Sequence, residues 1–297
     1  MTSRVLLATC AELPDGDEED GALLVAACHS AGLDASWAVW NDPAVDWSAA
    51  ALTVVRATWD YTSHPVEFRR WSDATPNIHN PGAVLRWNSD KAYLRDLERA
   101  GIPTVPTTWA GVNEPAQWPE GREFVVKPTV GAGSLGAGRF AAGEFSAAGE
   151  HVRSLHAAGR TAMIQPYLAG IDEVGETGLV FIDGMFSHAI RKAPMLAPDT
   201  VFSLDRTVSR ALFMAERITA RQPASDELDL AESALRAALA ILGLDDALLY
   251  ARVDLLPGEH GPVLIELELT EPSLFLSEQP AAADRLAEAM AVRAARA

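Results

Sequence analysis

The chain of 297 residues is short of cysteine and of positive charge. Its two cysteines, Cys10 and Cys28, are too few for a disulfide framework and suit a reducing compartment. Lysine and arginine total 24 against 41 aspartates and glutamates, leaving a net charge of −17. That balance argues against nucleic acid or an anionic membrane as partner, since both are held by basic surface. A site for an anionic ligand must therefore gather the few cations or recruit a metal ion. No apolar run approaches the roughly 18 residues of a membrane span. The opening "MTSRVLLATC" has too short an apolar core for a signal peptide and reads as a first strand. Internal repeats and low-complexity tails are lacking too. The absences leave a soluble, cytoplasmic globular protein with room for one large domain or two to three small ones.

What is present alternates strands and helices. Short apolar runs at 4–9, 35–40 and 51–56, with a helical pattern through Leu23, Leu24, Ala27 and Cys28, read as a parallel Rossmann-like unit. "TPNIHNPGAVLRW" marks a boundary near residue 86. A helix follows in "NSDKAYLRDLERAG", with Asn88 or Ser89 as N-cap, Tyr93, Leu94 and Leu97 as apolar stripe and Gly101 as stop. Strands are expected at 123–127, 162–165, 179–182, 185–191, 248–256 and 263–269, and helices near 146–158, 227–242 and 281–295. The stretch 193–222 has weak periodicity and reads as partly mobile.

Two passages carry chemistry. In "VLIELELTEPS", residues 263–273, alternation turns Glu266, Glu268 and Thr270 to the face opposite Ile265, Leu267 and Leu269. Two glutamates side by side leave that face either solvated at a sheet edge or seated on a cation. In "FVVKPTVGAGSLGAGRF", residues 124–140, a strand delivers Lys127 to a loop holding Gly131, Gly133, Gly136 and Gly138 around Ser134 and Leu135. Glycines let backbone N–H groups turn toward an anion, and the lysine neutralises phosphate charge. The lysine precedes the loop, so this is not a P-loop. A flexible hairpin turn is the alternative.

The "VVKP" strand with its "GAGSLG" loop resembles the phosphate-binding hairpin of the ATP-grasp superfamily, and the remaining motifs fall in that family's order. "NSDK" at 88–91 resembles the helix start carrying a first ATP lysine, Lys91. "MIQPYLAG" at 163–170 is similar to the hinge that reads adenine, matching Gln165, Pro166, Tyr167 and Leu168. "GETGLVFIDGMFSHAIRKAP" resembles the strands after the hinge in bacterial glutathione synthetases, with Glu176 on the ribose and Arg191 near the transferred phosphate. "RVD" at 252–254 and "ELELTEPS" resemble the metal strands, placing Mg²⁺ on Asp254, Glu266 and Glu268. The third metal position usually holds asparagine, so Glu268 is a departure. Thr177 and Gly178 stand where glutathione synthetases have basic residues, which puts a glutathione-type pocket in doubt.

The resemblance implies an α/β ATP-grasp fold: a Rossmann-like substrate domain at 1–86, a central subdomain with the glycine loop at 87–166, and a C-terminal subdomain with the metal strands at 167–297. It implies ATP with one or two Mg²⁺ ions, Mn²⁺ being a substitute, and a small amino-acid-like substrate, in a homo-oligomer. Carboxylate phosphorylation to an acylphosphate, followed by attack of a nitrogen nucleophile, is the family chemistry. Lys91, Lys127 and Arg191, with Lys192 and Arg252 as further cations, are expected to offset triphosphate charge. At the substrate end, Arg56 and Asp60 follow a parallel strand and could clamp a carboxylate and an ammonium, or form a surface ion pair beside packed aromatics. Glu271 and Ser273, just after the metal strand, are pocket candidates. The set "TWDY", "RWNSDK", "IQPYL" and "ELELTEPSLFL" is similar to the small ATP-grasp group that contains the cycloserine-forming ligase. That likeness implies ring closure by the substrate's own nitrogen. An intermolecular carboxylate–amine ligase and a non-catalytic nucleotide-binding module are the alternatives.

Overall fold

A computed structural model describes residues 2–17, 20–202 and 217–296. Strands β1 (Ser3–Thr9), β2 (Leu33–Val39), β3 (Leu52–Ala57) and β4 (Ile78–His79) form a parallel sheet in the order β2-β1-β3-β4. Residues Val5 to Thr9 are all buried, as a parallel strand covered on both faces requires. Helix α1 (Gly21–Ser30) covers one face through Leu24, Ala27 and Cys28, while Leu23 points outward. Helices α2 (Pro65–Ala74) and α3 (Gly82–Asn88) cover the other with Phe68 and Leu85.

A second, antiparallel sheet runs β5 (Thr108–Ala110), β8 (Ala162–Pro166), β6 (Phe124–Pro128), β7 (Gly138–Phe140) and packs on α5 (Phe145–Ala157) through Phe124, Phe140 and Leu155. The third holds five antiparallel strands in the order β11 (Ile218–Arg221), β10 (Met185–Lys192), β9 (Glu176–Ile182), β12 (Tyr250–Gly258) and β13 (Gly261–Glu268). Beneath it lie α4 (Tyr93–Arg99) and α7 (Ser225–Leu242), joined through Leu94, Leu97, Ala231 and Ala234. A short α6 (Gly170–Val174) precedes β9. Of the expected mobile stretch 193–222, residues 203–216 lie outside the described residues.

Two elements differ from the sequence reading. Asn88 caps no helix: it ends α3, and the next helix starts at Tyr93, because "GAVLRWN" is itself apolar enough to coil against the first sheet. The last helix, α8 (Ala281–Ala294), leaves the third sheet and packs Leu286, Ala287 and Met290 into the core of the first, beside Leu24 and Cys28. The chain's two ends thus share one apolar layer.

Two buried asparagines stitch the sheets. Asn80 donates to Tyr250 O at 3.0 Å and Leu269 O at 2.7 Å, and accepts from Leu249 N at 2.9 Å. Asn88 donates to Leu267 O at 2.6 Å and accepts from Leu269 N at 2.7 Å. Asn80→Ala strands three buried backbone groups, and each unsatisfied group costs about 1–3 kcal/mol. Urea unfolding should therefore show a loss of about 3 kcal/mol or more, whereas substituting the exposed Asn113 should leave the midpoint in place.

Candidate active site

The three sheets converge on a cavity of about 240 Å³. One end is an apolar slot whose walls include Val105, Val125, Leu256 and Ile265, and the hinge residues Gln165, Pro166, Tyr167 and Leu168 close it. Gln165 donates to Thr107 Oγ1 at 2.8 Å, the Tyr167 N–H donates to Glu123 O at 2.8 Å, and the Arg139 guanidinium stacks 3.4 Å from the centre of the Tyr167 ring. Backbone and stacking together fix the hinge as a flat edge with polar main-chain groups, the kind of surface a purine occupies.

The glycine loop roofs the middle. Gly133 and Gly136 have φ of +56° and +70°, a region a side chain rarely enters, and Ser134 sits there too at +61°. Gly133, Ser134 and Leu135 line the cavity, whereas Gly136 lies behind it with its carbonyl 2.8 Å from His151 Nε2. Residues 193–202 run alongside: Arg139 N donates to Thr200 O at 2.9 Å and Phe202 N to Ala137 O at 2.8 Å, so Ala193–Leu196 form a second part of the roof.

Beneath lies a lattice of charge. Lys91 Nζ reaches Glu266 Oε1 at 2.9 Å and donates to Gly131 O at 2.6 Å, tying β13 to the base of the loop. Lys192 bridges Glu176 and, at 2.9 Å, Asp254. Arg252 donates to Asp254 Oδ1 at 2.9 Å, to Glu268, and to Ser273 O at 2.9 Å. Burial alone would raise the Asp254 carboxyl, but the Arg252 guanidinium and Lys192 ammonium hold it well below the usual range. Burial works against ionisation of Glu266 also, and Lys91 with Lys127 overcomes it. Glu176 and Glu268 are less well compensated: burial pushes each to about 7 despite Lys192 and Arg252 respectively. Burial lowers Lys127 to about 8, opposed by Glu266.

Among the described residues no three side chains already converge as metal ligands. The chemistry of the donor set nevertheless fits Mg²⁺, which favours carboxylate oxygens. Asp254 and Glu266 are direct partners across β12 and β13, with Glu268 two residues along the same face. The four cations here (Lys91, Lys127, Lys192, Arg252) already stand among the carboxyls of Glu176, Asp254, Glu266, Glu268 and Glu271, so divalent cations would add to the charge available to an incoming polyphosphate.

Most of the residues expected from sequence gather at this cavity: Lys91, Lys127, Gly133, Ser134, Leu135, the hinge four, Glu176, Arg252, Glu266, Glu268, Glu271 and Ser273. Asp254 lies just under its floor. Besides Gly136, which lies behind the cavity, three do not join them. Arg191 turns to the opposite face of β10, where it donates to the carbonyls of Val174 and Glu173 at the end of α6, and its neighbour Lys192 enters the cavity. The pairing of Lys192 with Glu176 across β10 and β9 was the missing signal. Arg56 is buried, donates to Pro272 O at 2.7 Å and lies over the Tyr250 ring, so it anchors a loop and forms no surface ion pair. Asp60 accepts from Trp40 Nε1 at 2.7 Å outside the cavity. Asn88, Trp59, Tyr61 and Phe275 line the cavity without having been singled out.

Lys127 generates a pH prediction. Its folded pKa of about 8 lies below the usual lysine value, so its charge is lost as pH rises through 8. ATP affinity measured by calorimetry should fall by up to about tenfold per pH unit above 8, the limit for one linked proton. Lys127→Arg, charged throughout, should flatten that slope.

Comparison with known proteins places this geometry. Residues 5–81 match the family model described as the N-terminal domain of D-cycloserine synthetase DcsG. The cycloserine biosynthesis protein DcsG of Streptomyces lavendulae is 37% identical over 283 residues, spanning 91% of this chain and 92% of that protein. The crystal structure of D-cycloserine synthetase DcsG superposes with a TM-score of 0.86 at 36% identity, covering 98% of this chain and 99% of that one. A D-alanine–D-alanine ligase from Bacillus anthracis, solved with ATP, shares the fold at a TM-score of 0.65 and 14% identity, over 99% of this chain and 98% of its own. No helix among the described residues is long and apolar enough to cross a membrane. With its three sheets closing on one cavity and its sequence alike over nearly the whole length, the chain belongs to the D-cycloserine synthetase family of ATP-grasp ligases.

Proposed function

We propose that the protein is an ATP-dependent carbon–nitrogen ligase that closes a ring within one substrate, O-ureido-D-serine being the best candidate and D-cycloserine the product. The observation that supports this most directly is the continuity of the cavity. An apolar slot, a glycine-roofed cluster of four cations over carboxylates, and a wall formed by Trp59, Tyr61 and Glu271 belong to one cavity. The slot suits adenine, with Glu176 near enough to the hinge to take ribose hydroxyls.

The residues present suit each demand of the reaction. The substrate carboxylate attacks the γ-phosphorus and ADP departs. The oxygen-bound ureido nitrogen then attacks the acylphosphate carbon, losing its proton as phosphate leaves. One water hydrolyses the carbamoyl group from the ring nitrogen, releasing carbamic acid, which gives carbon dioxide and ammonia, and leaves D-cycloserine. Lys91, Lys127, Lys192 and Arg252 meet the charge that spreads over the phosphoryl oxygens. Asp254, Glu266 and Glu268 would hold Mg²⁺, which supplies further charge neutralisation when bound. The glycine loop and Ala193–Leu196 keep water from the acylphosphate. The likeness to DcsG over nearly the whole chain supports ring closure within one substrate.

ADP release with O-ureido-D-serine as sole amino-acid substrate, followed by mass spectrometry of the product, tests the proposal; a strict requirement for a second amine would refute ring closure. The positions of the two adjacent cations add a sharper expectation. Lys192→Ala should lower kcat by about 100-fold or more, the scale for losing one transition-state charge contact. Arg191→Ala, which touches only carbonyls outside the cavity, should stay within about threefold of wild type, since it removes no contact to the reacting group.

A further inference from the structure

Four carboxyl-bearing side chains line the cavity, and the protein answers three of them with a cation of its own. Glu176 meets Lys192, Glu266 meets Lys91, and Glu268 meets Arg252. The fourth, Glu271, is 7% exposed, and among the described residues no ion pair reaches its carboxylate. Its hydrogen-bond donor is the phenol of Tyr61, which is neutral. Burial, then the proximity of Glu268, pushes the Glu271 carboxyl up to about 8. A cavity wall built this way is complementary to a positive group on the ligand.

The surroundings limit which ligand group that is. Trp59 and Tyr61 come from the segment after β3 and line the cavity, and Trp59 Nε1 donates to the Glu271 backbone carbonyl at 3.2 Å. Arg56 holds the next carbonyl along, Pro272 O, at 2.7 Å, and Asp20 accepts from the N–H of Leu276 at 2.7 Å. The loop carrying Glu271 is therefore fixed at several points, and its carboxyl is presented to the cavity with Lys91 acting on it only from a distance and engaged in its own ion pair with Glu266. Glu271 follows the end of β13 by three residues and lines the same cavity as Lys91, Lys192 and Arg252. An α-amino acid whose carboxylate reaches the phosphoryl-transfer cations has its ammonium one carbon away.

We propose that Glu271 is a specificity-determining residue that receives the α-ammonium of the amino-acid substrate, with Tyr61 orienting its carboxyl. The assignment rests on the ligase reading above in taking an amino acid as substrate, and goes beyond it by making the free ammonium a requirement. N-acylated and deaminated analogues are then excluded, since neither offers the cation that Glu271 lacks.

The test uses the full-length enzyme with Mg²⁺ and a non-hydrolysable ATP analogue, and reads binding by calorimetry, so it does not depend on turnover. The probes are serine, in both enantiomers, and glycerate, which replaces the ammonium with a hydroxyl. Wild type should bind the preferred serine enantiomer at least about tenfold more tightly than glycerate, a modest value for one charged contact. Glu271→Gln should bind the two about equally, with ATP-analogue affinity within about twofold of wild type as evidence that the site is intact. Tyr61→Phe, which removes the orienting donor and no charge, should retain the preference for serine. Equal binding of serine and glycerate by wild type, failure of serine to bind, or a preference that survives in Glu271→Gln would overturn the assignment. A shifted Mg²⁺ dependence in Glu271→Gln with the preference unchanged would mark Glu271 as a metal ligand instead. If O-ureido-D-serine is not turned over while the serine preference depends on Glu271, the ring-closing reaction is wrong and the ammonium site stands.

Discussion

The buried guanidinium of Arg252 is the contact on which the reacting end of the site depends. It spans Asp254 on its own strand, Glu268 on the facing strand and the carbonyl of Ser273 in the loop beyond, so three separate backbone segments are located by one side chain. The Asp254 carboxylate is nearly sealed from water, and that of Glu268 is partly buried. Removing the cation would take from Glu268 its ion pair and leave Asp254 to Lys192 alone, and breaking a buried pair in this way typically costs about 3–5 kcal/mol. The pair costs desolvation energy and returns geometry. A rigid fork of donors fixes where the carboxylates sit before any ligand arrives, which is the form of preorganisation that electrostatic catalysis uses.

The same arrangement explains an oddity of composition. A second glutamate at position 268, where the family resemblance leads one to expect asparagine, adds a negative charge to an already acidic face. Arg252 and Glu268 are direct partners across the two strands, so the extra charge is met locally. Glu268 is nonetheless held near 7 by burial, so its protonation state responds readily to its surroundings. A carboxyl poised in this way gains charge when cations crowd the cavity and gives it up when they leave. The lysines behave in the opposite sense: Lys127 is depressed by burial, and an incoming phosphate restores its charge. Ligand binding and charge state are thus coupled across one lattice.

How far the sequence discloses this depends on whether the deciding contact is local. Period-two alternation puts Glu266 and Glu268 on one face of β13, and the lysine before a run of glycines declares Lys127 and its loop, because both signals are contained in a few consecutive residues. Alternation cannot choose between Arg191 and Lys192 until the register of β10 against β9 is known, and a slip of one residue exchanges the faces. Glu176 opposite Lys192 settles it, over a distance of 16 residues that no local pattern spans. Asn88 looks like a helix cap because its type suits one. Its actual partners are the backbone of Leu267 and Leu269, nearly two hundred residues on. Arg56 is likewise the right residue for a carboxylate clamp, and only the tertiary approach of Pro272 gives it another task.

Those distant partners share a consequence. The substrate end of the cavity is made of segments that follow β3 and β13, and neither packs there alone. Trp59 and Arg56 reach the loop at 271–272 from the first sheet, Asp20 takes the N–H groups of Leu276 and Ser277, and the last helix then returns to fill the core under α1. The end where we propose the nucleotide lies, by contrast, is built from the hinge and loops of the second and third sheets. A chain divided in this manner can retain its hinge, glycine loop and carboxylate strands while the first sheet and the loop after β13 vary together. On the proposed placement of the substrate, specificity would be carried by these contacts between distant segments, and a substitution on either side of them would alter that end of the cavity while leaving the hinge and glycine loop in place.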